Sequence, residues 1–446
     1  MENHKEMSLA SKKVLLIGMG LSGNASLRLL KAKGAVCDVY DSKKDPEIDQ
    51  DLKAEIRAFY LAGASVDFLN SDYDLAVCSP GVPTQVGIVK EAKDAGLLVL
   101  GELELAYRFA VGKFIGITGT NGKTTTTTWV HDVFVRAGLK AHLAGNVGIP
   151  LSEVVLEHAE PDDIYICELS SYQLESIIEF KPAIAAILNI TPDHLARHGS
   201  MEAYAEAKYG IAGNMDANGV LVLNWDDERL RERYHQEQGK PYQVIAFSKY
   251  DPAAEISTAR EDVQIGLRGE HNLENALAVL AIARAYGIDE KFIQESLREF
   301  KGVAHRNEFV TAIDGVSYYN DSKATNPEAS IPALKSIDEP VLLIAGGMDK
   351  KNDYSEWIEH FGKVRFVCLF GETKYDIAEA MMQKGFRKFR IFDCLDEAFT
   401  YASKLAAPGD AVLLSPACAS WDMYKSFEER GEHFKSLVQA LKNQRE

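Results

Sequence analysis

The segment Ile115-Gly116-Ile117-Thr118-Gly119-Thr120-Asn121-Gly122-Lys123-Thr124-Thr125 constrains the fold of this chain more than any other. An apolar run enters a glycine-bearing loop, Lys-Thr follows, and a helical pattern begins. That is the layout of a phosphate loop. Backbone N–H groups at a helix N-terminus surround phosphate oxygens, Lys123 neutralises charge, and the Thr124 hydroxyl reaches Mg²⁺. Strict Walker A spacing asks for glycine at 117, where this chain has Ile117. A turn that happens to contain Gly-Lys-Thr is the plain alternative, and the strand before it and helix after it argue against that.

The rest of the chain repeats the strand–helix rhythm. Val14–Ile17, Ala35–Tyr40, Leu75–Cys78 and Leu97–Leu100 read as strands, with helical stretches Ala25–Lys33 and Lys53–Ala62 between them. Ile164–Cys167, Ala183–Leu188, Val220–Asn224 and Gln243–Phe247 follow as strands, and Met201–Met215 and Leu273–Tyr286 as helices. Val341–Ala345, Phe366–Phe370 and Ala411–Leu414 are the apolar strands of a last block. Alternation of this kind predicts βαβ units, hence an α/β fold with mainly parallel sheets. With 446 residues and roughly 150 per domain, about three domains are expected. Breaks near 101 and 302 divide them into 1–101, 102–302 and 303–446.

Composition excludes several classes. A formal net charge of -17 argues against a general binder of nucleic acid or anionic membrane. With 46 % hydrophobic residues there is material for several cores. No apolar run reaches the roughly eighteen residues of a membrane span, and the opening residues lack a signal pattern, so a cytoplasmic protein is expected. Cys37, Cys78, Cys167, Cys368, Cys394 and Cys418 form no CxxC pair and read as reduced thiols.

A phosphate loop needs an acidic magnesium partner on a neighbouring strand. Glu168 ends the run Ile164–Cys167 and so faces the ligand crevice of a parallel sheet, although an exposed strand-end acid is the alternative. Thr191-Pro192-Asp193-His194 follows the next strand, where an imidazole suits a metal or phosphate site or plain structural work. Gly18-Met19-Gly20-Leu21-Ser22-Gly23, with Asp41 about twenty residues on, matches the dinucleotide fingerprint. Taken alone it suggests an NAD-dependent dehydrogenase. The same turn holds any nucleotide diphosphate, and a second phosphate loop in the next domain favours two nucleotides, one fuel and one handle on a substrate.

Several motifs occur in order: Gly119–Thr124, Glu168-Leu169-Ser170-Ser171-Tyr172-Gln173-Leu174, Thr191–His194, Gly269-Glu270-His271-Asn272-Leu273-Glu274-Asn275, His305-Arg306 and Asn320-Asp321-Ser322-Lys323-Ala324-Thr325-Asn326. Together they resemble the ATP-dependent Mur ligases of peptidoglycan synthesis, over residues 12 to 440. The turn Gly18–Gly23 resembles the uridine-nucleotide domain of the members adding the first and second amino acids, and the stretch Ser415-Pro416-Ala417-Cys418-Ala419-Ser420-Trp421-Asp422, with Phe427-Glu428 and Arg430-Gly431, is similar to the branch that adds D-glutamate to UDP-N-acetylmuramoyl-L-alanine. The resemblance implies a Rossmann-like N-terminal domain for the uridine nucleotide, a central P-loop ATPase domain, and a Rossmann-like C-terminal domain for the amino acid. It also implies ligation through an acyl phosphate; a monomer that binds no nucleic acid and no membrane is expected.

The resemblance also implies roles. Gly119, Thr120, Asn121, Gly122, Lys123, Thr124 and Thr125 would hold the ATP phosphates. Thr124 and Glu168 would serve a first Mg²⁺, His194 a second, and Lys208 would be carbamylated to supply an anionic oxygen. Read from the residues alone, Lys208 is a solvated lysine on a helix. Asn272 and Asn275 would meet adenine, Asp321 the ribose, and Arg306 and Lys323 the phosphates, with His305 near the reaction. Leu21, Ser22, Asp41, Ser42, Ser79, Gly81 and Asn146 would contact the uridine substrate, and Thr325, Lys350, Ser420 and Phe427 D-glutamate, with Lys351 as the other candidate for Lys350. Sister ligases, a folate polyglutamate ligase and a non-catalytic nucleotide-binding protein are the alternatives. Residues 12–100 argue against the folate enzyme, and the set Lys123, Glu168, His194, Lys208 and Lys323 against a non-catalytic protein.

Overall fold

In the computed structural model, residues 7–68, 70–85, 87–267, 269–348 and 352–445 are described. They form two compact units, 1–300 and 301–446. Three sheets run through them, two in the first unit and one in the second.

The first sheet has the order Ala58–Leu61, Val36–Asp41, Lys13–Ile17, Leu75–Cys78, Leu98–Gly101, and every pairing is parallel. Its strands are short apolar runs because both faces are covered, as parallel sheets require. The strand order reverses between Lys13–Ile17 and Leu75–Cys78, so the turns after those two strands flank one crevice. Here one expectation fails. The segment 53–62 was expected to be helical, but the helix Gln50–Lys53 stops and Ala58–Leu61 becomes the edge strand. The run Ala-Phe-Tyr-Leu suits a pleated surface. Arg57, donating from Nε and Nη2 to the buried carboxylate of Asp38 at 2.8 and 2.6 Å, pins it to the neighbouring strand.

The second sheet has seven parallel strands in the order Ile256–Ser257, Gln243–Ser248, Val220–Asn224, Ile184–Ile187, Lys113–Thr118, Ile164–Glu168, Ala141–Gly145. Lys113–Thr118 lies inside the sheet, between Ile184–Ile187 and Ile164–Glu168. One neighbour ends at Glu168 and the other leads into Leu188-Asn189, so these ends share the edge with the phosphate loop. The helices Lys123–Arg136 and Glu270–Tyr286 cover one face. The second helix buries every residue from Asn275 to Ala283, which explains its apolar sequence around the whole circumference. Trp129 is fully buried, stacks on Phe300 at 4.9 Å and donates to the Ser296 carbonyl at 3.3 Å. Loss of such a side chain to alanine costs about 3–5 kcal/mol.

The short helix Glu102–Tyr107 fastens the first sheet to the second. The buried Glu104 carboxylate accepts the backbone N–H groups of Ile178, Glu179 and Phe180 at 3.0–3.1 Å and pairs with Arg108. Tyr107 meets Phe114 and Phe180 at 5.2 and 5.3 Å between ring centroids. Glu102, also buried, accepts Ser152 N–H at 2.7 Å.

The third sheet has the order Glu308–Ile313, Val316–Asn320, Ala411–Leu414, Val341–Ala345, Val364–Leu369, Phe389–Ile391. All pairings are parallel except the first, a hairpin. Asp314 and Gly315 turn it with φ of 49° and 78°, the positive pair that the twist of a two-residue hairpin demands. The six cysteines are free, and all but Cys394 are buried. Among the described residues no helix is long and apolar enough to cross a membrane.

Candidate active site

The phosphate loop leaves its strand at Thr118 and enters the helix at Lys123. Gly122 makes that entry with φ of 81°, and a Cβ there would lie 2.4 Å from Asn275 Oδ1. Glycine is therefore required both by conformation and by close approach. Lys123 folds back over the loop, its Nζ donating to the carbonyls of Gly119 and Thr120 at 2.9 and 2.8 Å. Thr124 is buried at the helix start, Thr125 half-buried beside it, and Asn121 exposed at the tip. Asn189, at the end of the adjacent strand, clamps the loop. Its Oδ1 accepts the N–H groups of Thr120 and Asn121 at 3.1 and 2.7 Å, and its Nδ2 donates to the Asn121 carbonyl at 3.2 Å.

Glu168 is 2 % exposed at the end of its strand. Asn146 Nδ2 donates to Oε1 at 2.7 Å, while the buried Oε2 has no hydrogen-bond partner. An orphaned, buried carboxylate oxygen is rare because its desolvation goes uncompensated. A hard cation that takes oxygen ligands and keeps waters and substrate phosphates fits it. No group of three or more His, Cys, Asp or Glu able to hold a metal exists among the described residues. A cation here would therefore draw on a mixed set: this carboxylate, the Thr124 hydroxyl and phosphate oxygens.

Lys208, expected on its own terms to be a solvated lysine, is 1 % exposed. Its helix Met201–Tyr209 starts at Ser200, whose side chain accepts the Ala203 N–H and sets its direction. Nζ donates to the Gly119 carbonyl at 2.8 Å and lies 4.7 Å from the Tyr204 ring centroid. Burial, seconded by the charge of Lys123, pushes its pKa down to about 7, against the pull of Asp193 and Glu168. A substantial share of this amine is therefore the free base at neutral pH, which makes it a nucleophile.

His194 has a left-handed backbone, φ 52°, and a half-exposed ring 3.4 Å from Asp193 and 5.0 Å from the Tyr172 ring. Strained non-glycine backbone of this kind clusters at functional sites. Asn275 Oδ1 accepts from Thr126 Oγ1 at 3.2 Å, and its Nδ2 donates to Asn272 Oδ1 at 3.2 Å. The two asparagines do share a face, and Asn275 braces the loop from behind.

In the first sheet, the glycine turn is packed tightly. A Cβ on Gly23 would lie 2.2 Å from the Gly18 carbonyl oxygen, and Ser79 Oγ donates to that same oxygen at 2.7 Å. Asp41 is buried, with Oδ2 accepting Met19 N–H at 2.7 Å and Oδ1 accepting Lys43 N–H at 2.8 Å. Its carboxylate orders the turn. Leu21 is 85 % exposed at the helix start, an unusual place for leucine, and Ser42 and Gly81 are exposed nearby in the fold's crevice.

In the second unit, the ends of Val316–Asn320 and Ala411–Leu414 converge. Asp321 is buried, its oxygens accepting Asn307 N–H at 3.0 Å and Ser415 Oγ–H at 2.6 Å, and burial lifts its pKa to about 7. His305 is buried with φ 63°, its Nδ1 3.0 Å from Asn320 Nδ2. Arg306 is exposed, and Lys323 and Thr325 are half-buried. Ser322 Oγ donates to the Phe427 carbonyl at 2.8 Å. Ser420 is buried beside Cys418 and Ala419, whose carbonyls accept from Arg430 Nη1 at 3.1 and 3.3 Å. Arg430 also reaches Ser322 O at 2.8 Å and Ser322 Oγ at 3.0 Å, so a fully buried guanidinium ties the Lys323 loop to the Ser420 loop. Lys350 and Lys351 lie outside the described residues.

Asn189, Tyr204, Ser322 and Arg430 were not anticipated. Asn189 and Tyr204 stood inside segments already singled out, next to a strand end and on the Lys208 helix. Arg430 stood in the stretch Phe427–Gly431 that carries the resemblance, but no role or burial was assigned to it from the sequence.

Residues 12–101 match the family described as the Mur ligase MurD-like N-terminal domain, residues 117–283 the Mur ligase middle domain, and residues 305–418 the Mur ligase glutamate ligase domain. UDP-N-acetylmuramoylalanine–D-glutamate ligase of Alkaliphilus oremlandii is 42 % identical over 98 % of this chain and 100 % of its own length. The protein of that name from Clostridioides difficile is 42 % identical with the same coverage. Among solved structures, UDP-N-acetylmuramate-alanine ligase of Thermotoga maritima superposes with a TM-score of 0.57 at 19 % identity, covering 96 % of this chain and 100 % of that one. MurF of Acinetobacter baumannii gives 0.55 at 18 % identity, covering 98 % of this chain and 91 % of that one. The likeness to the solved structures concerns the fold, and the likeness to the sequences concerns descent: the chain belongs to the Mur ligase family.

Proposed function

We propose that this chain joins D-glutamate to the L-alanyl carboxylate of UDP-N-acetylmuramoyl-L-alanine at the expense of ATP, a cytoplasmic step in making peptidoglycan precursors. The observation that carries the reading is the set around one sheet edge: the Gly119–Thr124 loop, Lys123, buried Glu168 with an unpartnered oxygen, and buried Lys208 with a pKa near neutrality. The family and the full-length identity to ligases of that name supply the substrates.

In this reading the carboxylate attacks the γ-phosphorus of ATP, ADP leaves, and an acyl phosphate forms. The amine of D-glutamate then attacks the acyl carbon, loses a proton, and phosphate departs from the tetrahedral intermediate. Both steps crowd negative oxygens together, so charge neutralisation and exclusion of water decide the rate. Lys123 swings from the Gly119 and Thr120 carbonyls to phosphate oxygens. Backbone N–H groups at the helix start receive the rest, while Asn189 engages those of Thr120 and Asn121 and fixes the loop. Glu168, Thr124 and His194 are the residues to hold Mg²⁺, which neutralises phosphate charge when bound. The Lys208 free base adds CO₂ to become a carbamate with release of a proton, exchanging a buried cation for an oxygen anion suited to that hard ion.

Gly18–Gly23, Asp41, Ser42, Ser79 and Gly81 form the uridine-diphosphate cradle, with Leu21 as an apolar contact and Asn146 beside Glu168. Asn272 and Asn275 serve adenine, Asp321 the ribose, and Arg306 and Lys323 the phosphates, with His305 nearby. Thr325, Ser420, Phe427 and Lys350 serve D-glutamate. The test is phosphate release from ATP with UDP-N-acetylmuramoyl-L-alanine and a panel of amino acids. D-glutamate alone should support it; use of L-lysine or L-alanine in its place would overturn the assignment.

A further inference from the structure

Arg197 bridges the first and second sheets. Its Nη2 donates to Glu175 Oε2 at 2.9 Å and to the Val82 carbonyl at 3.3 Å, and Nη1 reaches the Gly81 carbonyl at 3.5 Å. Its guanidinium carbon stands 4.1 Å from the Tyr172 ring centroid. Gly81 and Val82 belong to the turn after Leu75–Cys78 of the first sheet, whereas Tyr172 and Glu175 follow the Glu168 strand of the second. Thr84 Oγ1 donates to the same Glu175 oxygen at 3.4 Å. Arg197 and Glu175 are only 16 % and 19 % exposed, so their attraction is poorly screened.

Contacts continue beyond this pair. The Tyr172 ring lies 5.0 Å from His194. His198 sets Nδ1 3.3 Å from Glu175 Oε1 and Nε2 3.0 Å from Ser171 Oγ. Its ring meets Tyr204 at 5.2 Å, and the Tyr204 hydroxyl lies 3.1 Å from Thr120 Oγ1 of the phosphate loop. An unbroken series of contacts therefore runs from the 81–84 turn to His194 and to Thr120. A guanidinium stacked on a ring and bonded to a carboxylate has little freedom left, so movement at one end is felt at the other.

We infer that Arg197 and Glu175 are positioning residues that couple the 79–84 turn to the His194 segment and the phosphate loop, so that filling the ATP site orders the uridine turn. The inference deepens the proposed function and rests on its reading of that turn as the uridine contact. Neither residue touches a reacting group; each acts by holding Tyr172, His194 and the turn in register. The coupling is reciprocal, so the uridine substrate should in turn tighten nucleotide binding.

The test is amide hydrogen exchange on the full chain, with and without Mg²⁺ and the non-hydrolysable analogue AMP-PNP, and with no uridine compound present. In the unaltered protein, exchange at Ser79, Gly81, Val82 and Thr84 should slow by about threefold or more when the analogue binds. Arg197→Met should abolish that slowing, Arg197→Lys should restore part of it, and Glu175→Gln, which keeps the shape, should weaken it. Melting temperatures identify any variant that has lost its fold, and Glu175→Gln then carries the comparison. A turn that fails to respond in the unaltered protein, or responds equally in a folded variant, would overturn the coupling. A separate titration with UDP-N-acetylmuramoyl-L-alanine judges the uridine reading: absence of binding refutes that reading, while the exchange data still decide the coupling.

Discussion

Lys208 Nζ lies 2.8 Å from the carbonyl oxygen of Gly119, inside the fold rather than on its surface. This contact sets a buried amine against the first glycine of the phosphate loop, whose carbonyl also accepts from Lys123 Nζ at 2.9 Å. With its pKa lowered to about 7 by burial, the amine has the free-base share that the proposed addition of CO₂ needs. Stripping CO₂ should lower turnover and bicarbonate should restore it. Lys208→Met should lose more than the roughly 10–100-fold that follows loss of an outer metal partner. Full activity in that variant would remove Lys208 from the mechanism.

Glu168 and Asn146 form the second relationship to probe. Glu168→Gln removes the charge on the orphaned oxygen, and Asn146→Ala frees the other one. Both should raise the Mg²⁺ concentration needed for half-maximal rate, the asparagine change by about 10–100-fold. Superimposable Mg²⁺ titrations would rule out this carboxylate as a ligand.

Gly122→Ala should impair nucleotide binding. The residue needs φ of 81°, and its new methyl would press on Asn275 Oδ1. Left-handed backbone costs a non-glycine residue about 1–3 kcal/mol. Calorimetry with Mg²⁺ and AMP-PNP should show weakened affinity with the fold intact. Adding Asn275→Ala should recover only part of it, because the backbone strain persists.

Two buried groups give opposite slopes of stability with pH. Asp321 has its pKa raised to about 7 by burial, so the folded chain keeps a proton that the unfolded chain releases from about pH 3.8 upward. Its contribution is full below that value and is lost as pH rises to about 7. Lys208 is lowered from 10.5 to about 7, so its burial as a cation destabilises below 7 and is relieved as pH rises toward 10.5. Comparing melting temperatures of Asp321→Asn and Lys208→Met with the unaltered chain, in CO₂-free buffer, should show the first difference changing between about pH 4 and 7 and the second between about 7 and 10. Differences independent of pH would refute both shifts.

The parts legible in the sequence were those whose chemistry is local. The phosphate loop carries its own glycines, lysine and threonine, and the strands Leu75–Cys78, Val220–Asn224, Val341–Ala345 and Ala411–Leu414 were readable as apolar runs because parallel sheets bury both faces. Lys53–Ala62 misled because its pattern fits a helix, whereas the Arg57–Asp38 pair that makes it a strand spans two strands. Lys208 and Arg430 show the wider limit. Lys208 reads as a solvated lysine and Arg430 as one residue of a motif, and only packing reveals that both are buried. What Arg430 holds together, Ser322 and the Cys418–Ala419 backbone, is separated from it by up to 108 positions.

The most direct measurement follows labelled D-glutamate into product. Incubated with UDP-N-acetylmuramoyl-L-alanine, ATP and Mg²⁺, the protein should convert label into a uridine-linked species, with one ADP and one phosphate formed per glutamate incorporated. ATP hydrolysis without incorporation, or incorporation of a different amino acid, would contradict the proposed reaction.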